Sequence, residues 1–501
     1  MARRAHTKSR TGCQTCKIRR IRCDESWPAC KRCTSTGRRC DGPSKAATTP
    51  VTISFASVLT FSMVRPQPAI LAYESDQEAR YVRYFLDQIS YNPSGQSGYP
   101  PWGILMVQAL YENIAVRRCA MAISALIQVK QTNNVCTIDR SSSDKASIFA
   151  LKRYGKALSS LQELVTRGDR KSVETVLLCG IICIWFEILR KDYFAALGHL
   201  DRCLNIILAT KVPGKGMIDS DIENAYMKLD TQAAIYVGMR APVVLPEELK
   251  PVPYIFDTFD EAEGFLIVEY GRVIRFARKI AAPYRYPQPG WIPLELLAHA
   301  QMLHTRLEHW HSAFKYSYAC QKAEGTPQMI TRVSQLLIQY HAAVITVSTC
   351  LYSEETIYDR FLPIFKRILV QVERLTAYWH ERGLLSPSGV SMDLGIVQPL
   401  YLIATKCRNF SVRQQAIEFL FSTPDADGTK EGLVFALVAR RAKELEERGL
   451  DVAVDGVPEF CRIHVIGVKV NRDLREAHVE LRRRPNGMDG EWEEWKEILS
   501  W

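Results

Sequence analysis

Apolar residues recur every three or four positions along most of the chain, which predicts a largely helical protein. The first helix is expected at Ser75, because Ser75 and Glu78 form a capping box and apolar residues follow at helical spacing from Tyr81 to Ile89. The same spacing predicts eleven further helices, over 104–130, 143–167, 171–190, 193–211, 219–238, 260–281, 292–322, 326–352, 357–381, 396–421 and 430–449.

The pattern changes to a strand period near the C-terminal end of the sequence. Ala477, Val479 and Leu481 alternate with polar residues, and residues 462–470 are also strand-like, with Gly467 placed to form a bulge. The pair at 486–487, Asn-Gly, is a turn signal. We therefore expect a small β element after the helices.

The segment Glu491–Trp501 mixes acidic residues with tryptophans and allows two interpretations. Acidic and aromatic residues occur together in transcriptional activation segments. Alternatively, Trp492, Trp495 and Trp501 pack against the folded body, and we favour this interpretation because tryptophan contributes a large apolar surface.

The longest apolar run, Val176–Phe186, is the candidate for a membrane-spanning segment. Its eleven residues fall short of the roughly 20 needed to span a bilayer. The first eleven residues are basic and lack the apolar core of a secretory signal. We expect a buried core helix in a soluble intracellular protein without a membrane partner.

Positive charge is concentrated at the start of the sequence. The 501 residues carry a net charge of +11, and residues 1–45 hold 13 Lys and Arg against 3 Asp and Glu. The remaining residues hold 52 basic and 51 acidic side chains. A neutral body with one basic end favours a polyanionic partner at that end.

Six of the 15 cysteines lie in the same basic segment, as two copies of one C-x2-C-x6-C unit: Cys13, Cys16, Cys23, Cys30, Cys33 and Cys40. Each C-x2-C pair can bind one tetrahedral zinc ion, so two ions are predicted. Two tetrahedral ions need eight sulfur contacts, and therefore two thiolates must bridge. The twofold repeat leaves three candidate bridging pairs: Cys13 with Cys30, Cys16 with Cys33, and Cys23 with Cys40.

Two other interpretations of the cysteines remain: a disulfide framework and a redox-sensing thiol cluster. The first is disfavoured because no secretory signal is present and nine other cysteines are scattered through the chain, as is typical of a reducing compartment. Zinc is favoured because the doubled spacing occurs in a segment without an apolar core of its own.

The basic run Lys17–Arg22 follows the second cysteine. On a helix, Ile18 and Ile21 would share one face and could pack on the cluster, whereas Lys17, Arg20 and partly Arg19 would point elsewhere. A short helix that offers its end to the major groove can pair an arginine with guanine O6 and N7.

These residues resemble the DNA-binding domain of fungal zinc binuclear cluster transcription factors. The resemblance covers about residues 12–42 and includes all six cysteines, the basic run, Pro28 and Gly37. It implies that Cys13 and Cys30 bridge the two zinc ions, and that short helices follow Cys16 and Cys33. It also implies base contacts from Arg19 and Arg20.

The resemblance implies a nuclear regulator of RNA polymerase II transcription that binds double-stranded DNA at CGG-type triplets. Lys17, Arg22, Lys31 and Arg32 are interpreted as phosphate contacts. The sequence leaves open whether the chain forms a homodimer, since residues 41–74 show no heptads. An activating or repressing role is also open.

The body resembles the helical fungal-specific regulatory domain. The resemblance rests on Phe186–Leu200, Asp393–Tyr401, Lys406–Arg408 and Arg413–Ile417, and it extends loosely over residues 75–501. It implies a regulatory region that could respond to a small-molecule effector or contact the transcription machinery. The expected organisation is a basic arm (1–12), the zinc cluster (13–42), a linker (43–74, with an unexplained apolar centre at 51–64) and the helical domain (75–501).

Two other classes of function compete with a DNA-binding regulator. A zinc or redox sensor that does not bind DNA would have no need of the Lys17–Arg22 run. An enzyme is not expected, because the body contains none of the phosphate-loop, dinucleotide, serine-hydrolase or metalloprotease motifs. His299, His304, His309 and His311 cluster in sequence, but their spacing does not favour a second metal site.

Overall fold

The structure is a computed structural model that describes residues 12–26, 28–40, 75–90, 101–133, 140–211, 218–236, 238, 240–286, 291–321, 327–381, 395–423, 431–452, 456–471, 474–487 and 489–501. It divides into two units, residues 1–70 and residues 71–501. Residues 1–11 of the predicted basic arm, and the predicted linker with its apolar centre, lie outside the described residues.

The first unit is built around its cysteines. It contains two short helices, α1 (Gln14–Ile18) and α2 (Lys31–Thr34), and five of the six cysteines are buried between them. Each helix begins directly after a cysteine, so that Cys16 and Cys33 lie within the helices. Both helices therefore begin before Cys16 and Cys33, a few residues earlier than the resemblance implied.

The second unit is mainly helical. Its helices are α3 (Asp76–Ser90), α4 (Pro101–Glu112), α5 (Ile114–Asn133), α6 (Arg140–Arg167), α7 (Arg170–Arg190), α8 (Tyr193–Thr210), α9 (Ser220–Tyr236), α10 (Phe259–Arg275), α11 (Ala282–Arg285), α12 (Leu294–Gln321), α13 (Pro327–Thr349), α14 (Leu362–Glu381), α15 (Val397–Lys406), α16 (Phe410–Ser422) and α17 (Glu431–Glu446). A π-helical turn (Phe276–Ala281) joins α10 to α11, and 3₁₀ turns cover Glu355–Phe361 and Glu459–Cys461.

The helices pack around three successive apolar cores, formed mainly by α3–α9, by α9–α13 and by α13–α17. The capping box predicted at Ser75 is confirmed on the serine side, since its Oγ accepts a hydrogen bond from the Glu78 N–H (3.3 Å). The apolar run Val176–Phe186 is confirmed as the buried centre of α7.

Helix α7 is long and apolar enough to cross a membrane by length and composition, but 78% of its most apolar window is buried inside the fold. This burial agrees with the expectation that Val176–Phe186 lies in a core helix.

Two of the predicted helices are each divided in two. The segment 104–130 breaks at Asn113, whose side chain accepts the Ala115 N–H (2.8 Å) and so starts α5. The segment 396–421 breaks at residues 407–409, where the Asn409 side chain caps α16 through the Val412 N–H (3.3 Å). In both cases an asparagine satisfies the free N–H groups of a new helix, a local effect that apolar periodicity does not report.

The predicted β element is a three-stranded antiparallel sheet in the order β1 (Ile463–Asn471), β2 (Glu476–Arg483), β3 (Glu493–Ser500). The alternation in β2 is confirmed, because Ala477, Val479 and Leu481 are buried against α17.

The bulge predicted at Gly467 is wrong, because the register shifts between Ile463 and Val465 instead. At that point the Ile463 N–H donates to the buried Glu446 carboxylate (2.6 Å) rather than to β2. The bulge therefore follows a side-chain contact from a neighbouring helix.

The acidic and aromatic segment is strand β3, which the sequence did not predict. Trp495 and Trp501 pack on the core between the sheet and α17. Trp492 lies edge-on to Tyr286, with ring centres 5.3 Å apart, and the Arg484 guanidinium lies over its ring at 4.3 Å. The interpretation that the tryptophans pack on the body is confirmed.

A buried ionic cluster joins the 3₁₀ turn at Glu355 to α15, α17 and the sheet. The fully buried Glu355 carboxylate accepts hydrogen bonds from Lys406 (2.8 Å), Arg408 (3.1 Å) and Arg285 (3.3 Å). Arg408 also contacts Glu446 (2.8 Å). Buried charges of this kind persist because each has partners of opposite sign.

Candidate metal centre

The six cysteine sulfurs lie together in two groups of four. One group is Cys13, Cys16, Cys23 and Cys30, and the other is Cys13, Cys30, Cys33 and Cys40. Within each group every sulfur lies within 4.8 Å of the others. Cys13 and Cys30 belong to both groups, so this geometry corresponds to one of the three bridging pairs that the sequence left open.

The sulfur separations fit tetrahedral zinc. Four sulfurs at about 2.3 Å from a central ion would lie about 3.8 Å from one another. Cys13 Sγ is 3.7 Å from Cys30 Sγ and 3.8 Å from Cys33 Sγ, and Cys16 Sγ is 3.6 Å from Cys30 Sγ. All six cysteines are free thiols, and these distances are far too long for disulfides.

Backbone N–H groups point at several of the sulfurs. The N–H groups of Cys13 and Glu25 donate to Cys23 Sγ (both 3.4 Å), and the Cys30 N–H donates to Cys40 Sγ (3.3 Å). Burial raises the pKa of the Cys13 thiol to about 12. Burial also opposes ionisation of Cys23, yet the two N–H donors lower its pKa overall. A cation bound between the sulfurs would favour the charged form of the crowded thiolates.

The two halves of the unit repeat the same backbone with an offset of 17 residues. Helix α1 ends with hydrogen bonds from Ile21 N–H to the Cys16 carbonyl (3.2 Å) and from Arg20 N–H to the Lys17 carbonyl (3.2 Å). Helix α2 ends with the corresponding bonds from Arg38 to Cys33 (3.0 Å) and from Gly37 to Thr34 (3.1 Å). Both ends are therefore Schellman motifs.

Arg20 and Gly37 occupy the same left-handed position in these motifs, with φ of 55° and 63°. Glycine is the usual residue there, because a side chain strains this conformation. An arginine held in a strained conformation points to a function for its side chain.

The residues predicted to contact nucleic acid differ in their exposure to solvent. Lys17, Arg20 and Arg22 are exposed, whereas Arg19 is half-buried. Arg19 Nη1 donates to the Arg32 carbonyl (3.4 Å) and to Thr36 Oγ1 (3.2 Å), and so ties the end of α1 to α2. Lys31 and Arg32 are exposed on α2.

The expectation that Ile18 and Ile21 pack on the cluster is wrong. The side chains of Ile18 and Ile21 are 74% and 40% exposed. Helix α1 stops at Ile18 and the chain reverses at Arg20, so the continuous helical face that would have joined the two isoleucines does not form.

Asp24 is a positioning residue that sequence reasoning missed. Its carboxylate accepts hydrogen bonds from Ser26 Oγ (2.6 Å) and from the N–H groups of Lys31 (3.0 Å) and Arg32 (3.3 Å) at the start of α2. The Ser26 hydroxyl and these N–H groups lower the pKa of Asp24 to about 2. The signal was present, since an aspartate directly follows the last cysteine of each half.

Comparison with known proteins identifies two domains in the chain. Residues 11–48 match the model of the fungal Zn(2)-Cys(6) binuclear cluster domain, and residues 80–237 match that of the fungal specific transcription factor domain. The chain therefore contains a fungal zinc binuclear cluster domain and, after it, a fungal specific transcription factor domain. The cofactor of this zinc cluster protein is accordingly two zinc ions, which the paired sulfur groups fit.

Several curated relatives of the zinc cluster protein are regulators. The aspercryptin biosynthesis cluster-specific transcription regulator atnN of Emericella nidulans is 24% identical over 348 residues, which cover 62% of this chain and 55% of the relative. The Zn(2)-C6 fungal-type transcription factor afumD of Aspergillus fumigatus is 36% identical over 85 residues, covering 17% and 22%. The transcriptional regulatory protein moc3 of Schizosaccharomyces pombe is 54% identical over 41 residues, 8% of each chain.

The zinc cluster protein thus spans about half the length of the first of these relatives and less of the others. No solved structure matches it.

The four histidines of α12 have other surroundings. Within the part of the chain that the structure describes, the two sulfur groups are the sets of candidate ligands close enough to hold an ion, and no histidine belongs to them. His299 packs on Phe276 (4.8 Å between ring centres) and His311 stacks on Tyr340 (4.5 Å).

Proposed function

We propose that this chain is a nuclear, sequence-specific DNA-binding regulator of RNA polymerase II transcription. The observation that carries the proposal is the cationic end of α1, where Lys17, Arg20 and Arg22 project from a compact metal-binding unit and lie in contact with solvent. A rigid turn that presents arginine suits recognition of guanine in the major groove. The names of the relatives, which are transcription regulators, support the same function.

The roles of the side chains follow from their placement. Arg20 reads guanine of a CGG-type triplet, because its side chain is exposed and its backbone is held in the left-handed turn that follows α1. Arg19 holds α1 against α2 and so positions that turn. Lys17 and Arg22 of the first half, with Lys31 and Arg32 of the second, contact phosphates.

The cysteines hold two zinc ions in the arrangement that their sulfur groups suggest. Cys13 and Cys30 bridge, Cys16 and Cys23 complete the first ion, and Cys33 and Cys40 complete the second. Residues 1–12 form a basic arm, 13–42 the cluster, 43–74 a linker and 75–501 the regulatory domain. The proposed function is binding without catalysis. Homodimer formation, binding of an effector and contacts with the transcription machinery are assigned to the regulatory domain.

Zinc content provides the first test of this proposal. The purified chain is expected to contain two zinc ions, and strong chelation is expected to unfold residues 13–40, since this unit has cysteines rather than an apolar core. Metal analysis and limited proteolysis after chelation would measure both effects. A stoichiometry of one, or a unit that stays protease-resistant without metal, would contradict the shared-thiolate arrangement.

Arg20 and Lys31 are expected to contribute to DNA binding in different ways. Arg20→Gly removes the guanidinium and relieves the backbone strain, so zinc is retained while affinity for the cognate duplex falls by about 1–3 kcal/mol. Lys31→Ala is expected to weaken binding to all duplexes alike and to lower the salt slope by about one. Titrations on cognate and scrambled duplexes at several salt concentrations would separate the two effects.

The matched control is Gly37→Ala, which places strain at the equivalent turn without removing a cation. Equal losses on cognate and scrambled duplexes for Arg20→Gly would make Arg20 a phosphate contact, and the reading role would pass to Arg19 or Lys17.

A further inference from the structure

The isoleucine at the end of α1 is exposed where the fold does not require an apolar residue. Ile18 is the last residue of α1, next to Lys17 and two residues before the left-handed turn at Arg20. At about 100° of rotation per residue, it lies on the side of the helix opposite to Cys13 and Cys16. Its 74% exposure agrees with that placement.

The internal repeat shows what the backbone itself needs at this position. Ser35 lies 17 residues later, at the same place before the Schellman turn of α2, and it is also exposed. A small polar residue therefore suffices for the turn. Ile21 differs in this respect, because it occupies the position after the left-handed residue, where an apolar contact with the helix commonly accompanies the motif.

A lone exposed isoleucine is ordinary on a protein surface. This one, however, lies within the run that also carries Lys17, Arg20 and Arg22, the three exposed cations of the proposed reading surface. Cations pair with phosphates and guanine edges, whereas an aliphatic side chain has one apolar partner on a major-groove edge. That partner is the C5-methyl group of a pyrimidine, which thymine carries and cytosine lacks.

We propose that Ile18 contacts a pyrimidine C5-methyl group beside the guanine read by Arg20, and so adds a methyl-dependent base preference to the recognition site. This inference rests on the proposed DNA-binding function. The same chemistry would accept thymine or 5-methylcytosine, and the loss of one buried methyl is expected to weaken binding about fourfold.

The test uses the whole 501-residue chain and a duplex that it selects from a randomised pool. Each thymine of that duplex is replaced singly by deoxyuridine, which removes only the methyl group, and each cytosine is replaced singly by 5-methylcytosine. Affinities are measured for the natural chain, for Ile18→Ser and for the control Ser35→Ala. Ile18→Ser installs the residue of the second half, so zinc content is expected to remain at two.

At one pyrimidine position, removal of a thymine methyl group is expected to weaken DNA binding by the natural chain and by Ser35→Ala about fourfold. If that pyrimidine is cytosine, addition of the methyl group is expected to strengthen their binding by the same factor. The affinity of Ile18→Ser is expected to change in neither case. The deoxyuridine and 5-methylcytosine sets distinguish the two sources of the methyl group. Sequence-specific binding that ignores every methyl substitution would overturn the inference and leave the proposed function intact, as would an equal methyl effect in Ile18→Ser. Absence of any selected sequence would instead overturn both.

Discussion

Cys13→Ala and Cys30→Ala are each expected to lose both zinc ions, whereas Cys40→Ala is expected first to weaken the binding of one. Cys13 and Cys30 belong to both sulfur groups, so removing either one leaves three ligands at each ion. Cys40 belongs to one group and leaves the other complete. Metal analysis of each purified variant, combined with a competing chelator of graded strength, would measure the difference.

Cys461→Ala is the control, because this half-buried thiol lies in the second unit and takes no part in either sulfur group. It is expected to retain two zinc ions. Equal zinc losses in all six single variants of the cluster would remove the basis for distinguishing bridging from terminal cysteines.

Glu355→Gln is expected to destabilise the helical unit by about 3–5 kcal/mol. The substitution preserves size but removes the negative charge that compensates Lys406, Arg408 and Arg285, and breaking a buried ionic cluster leaves charges unpaired in a low-dielectric interior. Urea unfolding followed by tryptophan fluorescence would measure the change in the free energy of unfolding.

Glu444→Gln is the matched control, because Glu444 pairs with Arg440 and Arg441 on the exposed face of α17. Such a surface pair contributes less than about 1 kcal/mol. If the free energy of unfolding fell by the same small amount in both variants, the buried cluster would contribute no more than a surface ion pair.

The same cluster gives stability a defined dependence on pH. Burial opposes ionisation of Glu446, but Arg408 and Arg413 outweigh it and lower its pKa to about 2. The unfolded chain has a glutamate pKa of about 4.3. The stabilisation from this carboxylate is therefore complete above about pH 4.3 and is lost as the pH falls towards 2.

Apolar spacing predicted the helices well wherever burial alone decides the structure. The centre of α7 and the alternation of β2 are examples, because one face or the whole segment lies in a core. It failed where a polar contact ended an element. The breaks at Asn113 and Asn409 arise from side chains that cap the next helix, and the bulge at Ile463 arises from a bond to Glu446.

The candidate metal centre was predictable to a similar extent. Cysteine spacing alone predicted two ions and shared thiolates, because coordination number limits the arrangements. It could not choose the bridging pair, since that depends on how the halves pack. The left-handed turn at Arg20 was also hidden, because arginine seldom adopts it, although Gly37 in the other half carried the signal.

The repeated backbone separates the cysteines of the candidate metal centre from the residues proposed to contact DNA. Thr34, Ser35, Gly37 and Arg39 occupy the places that Lys17, Ile18, Arg20 and Arg22 hold in the first half, on the same helix end and turn. Under the proposed function, substitutions at these four places are expected to change the recognised DNA sequence without loss of zinc. The same metal scaffold would then support different sequence specificities through single substitutions that the fold tolerates.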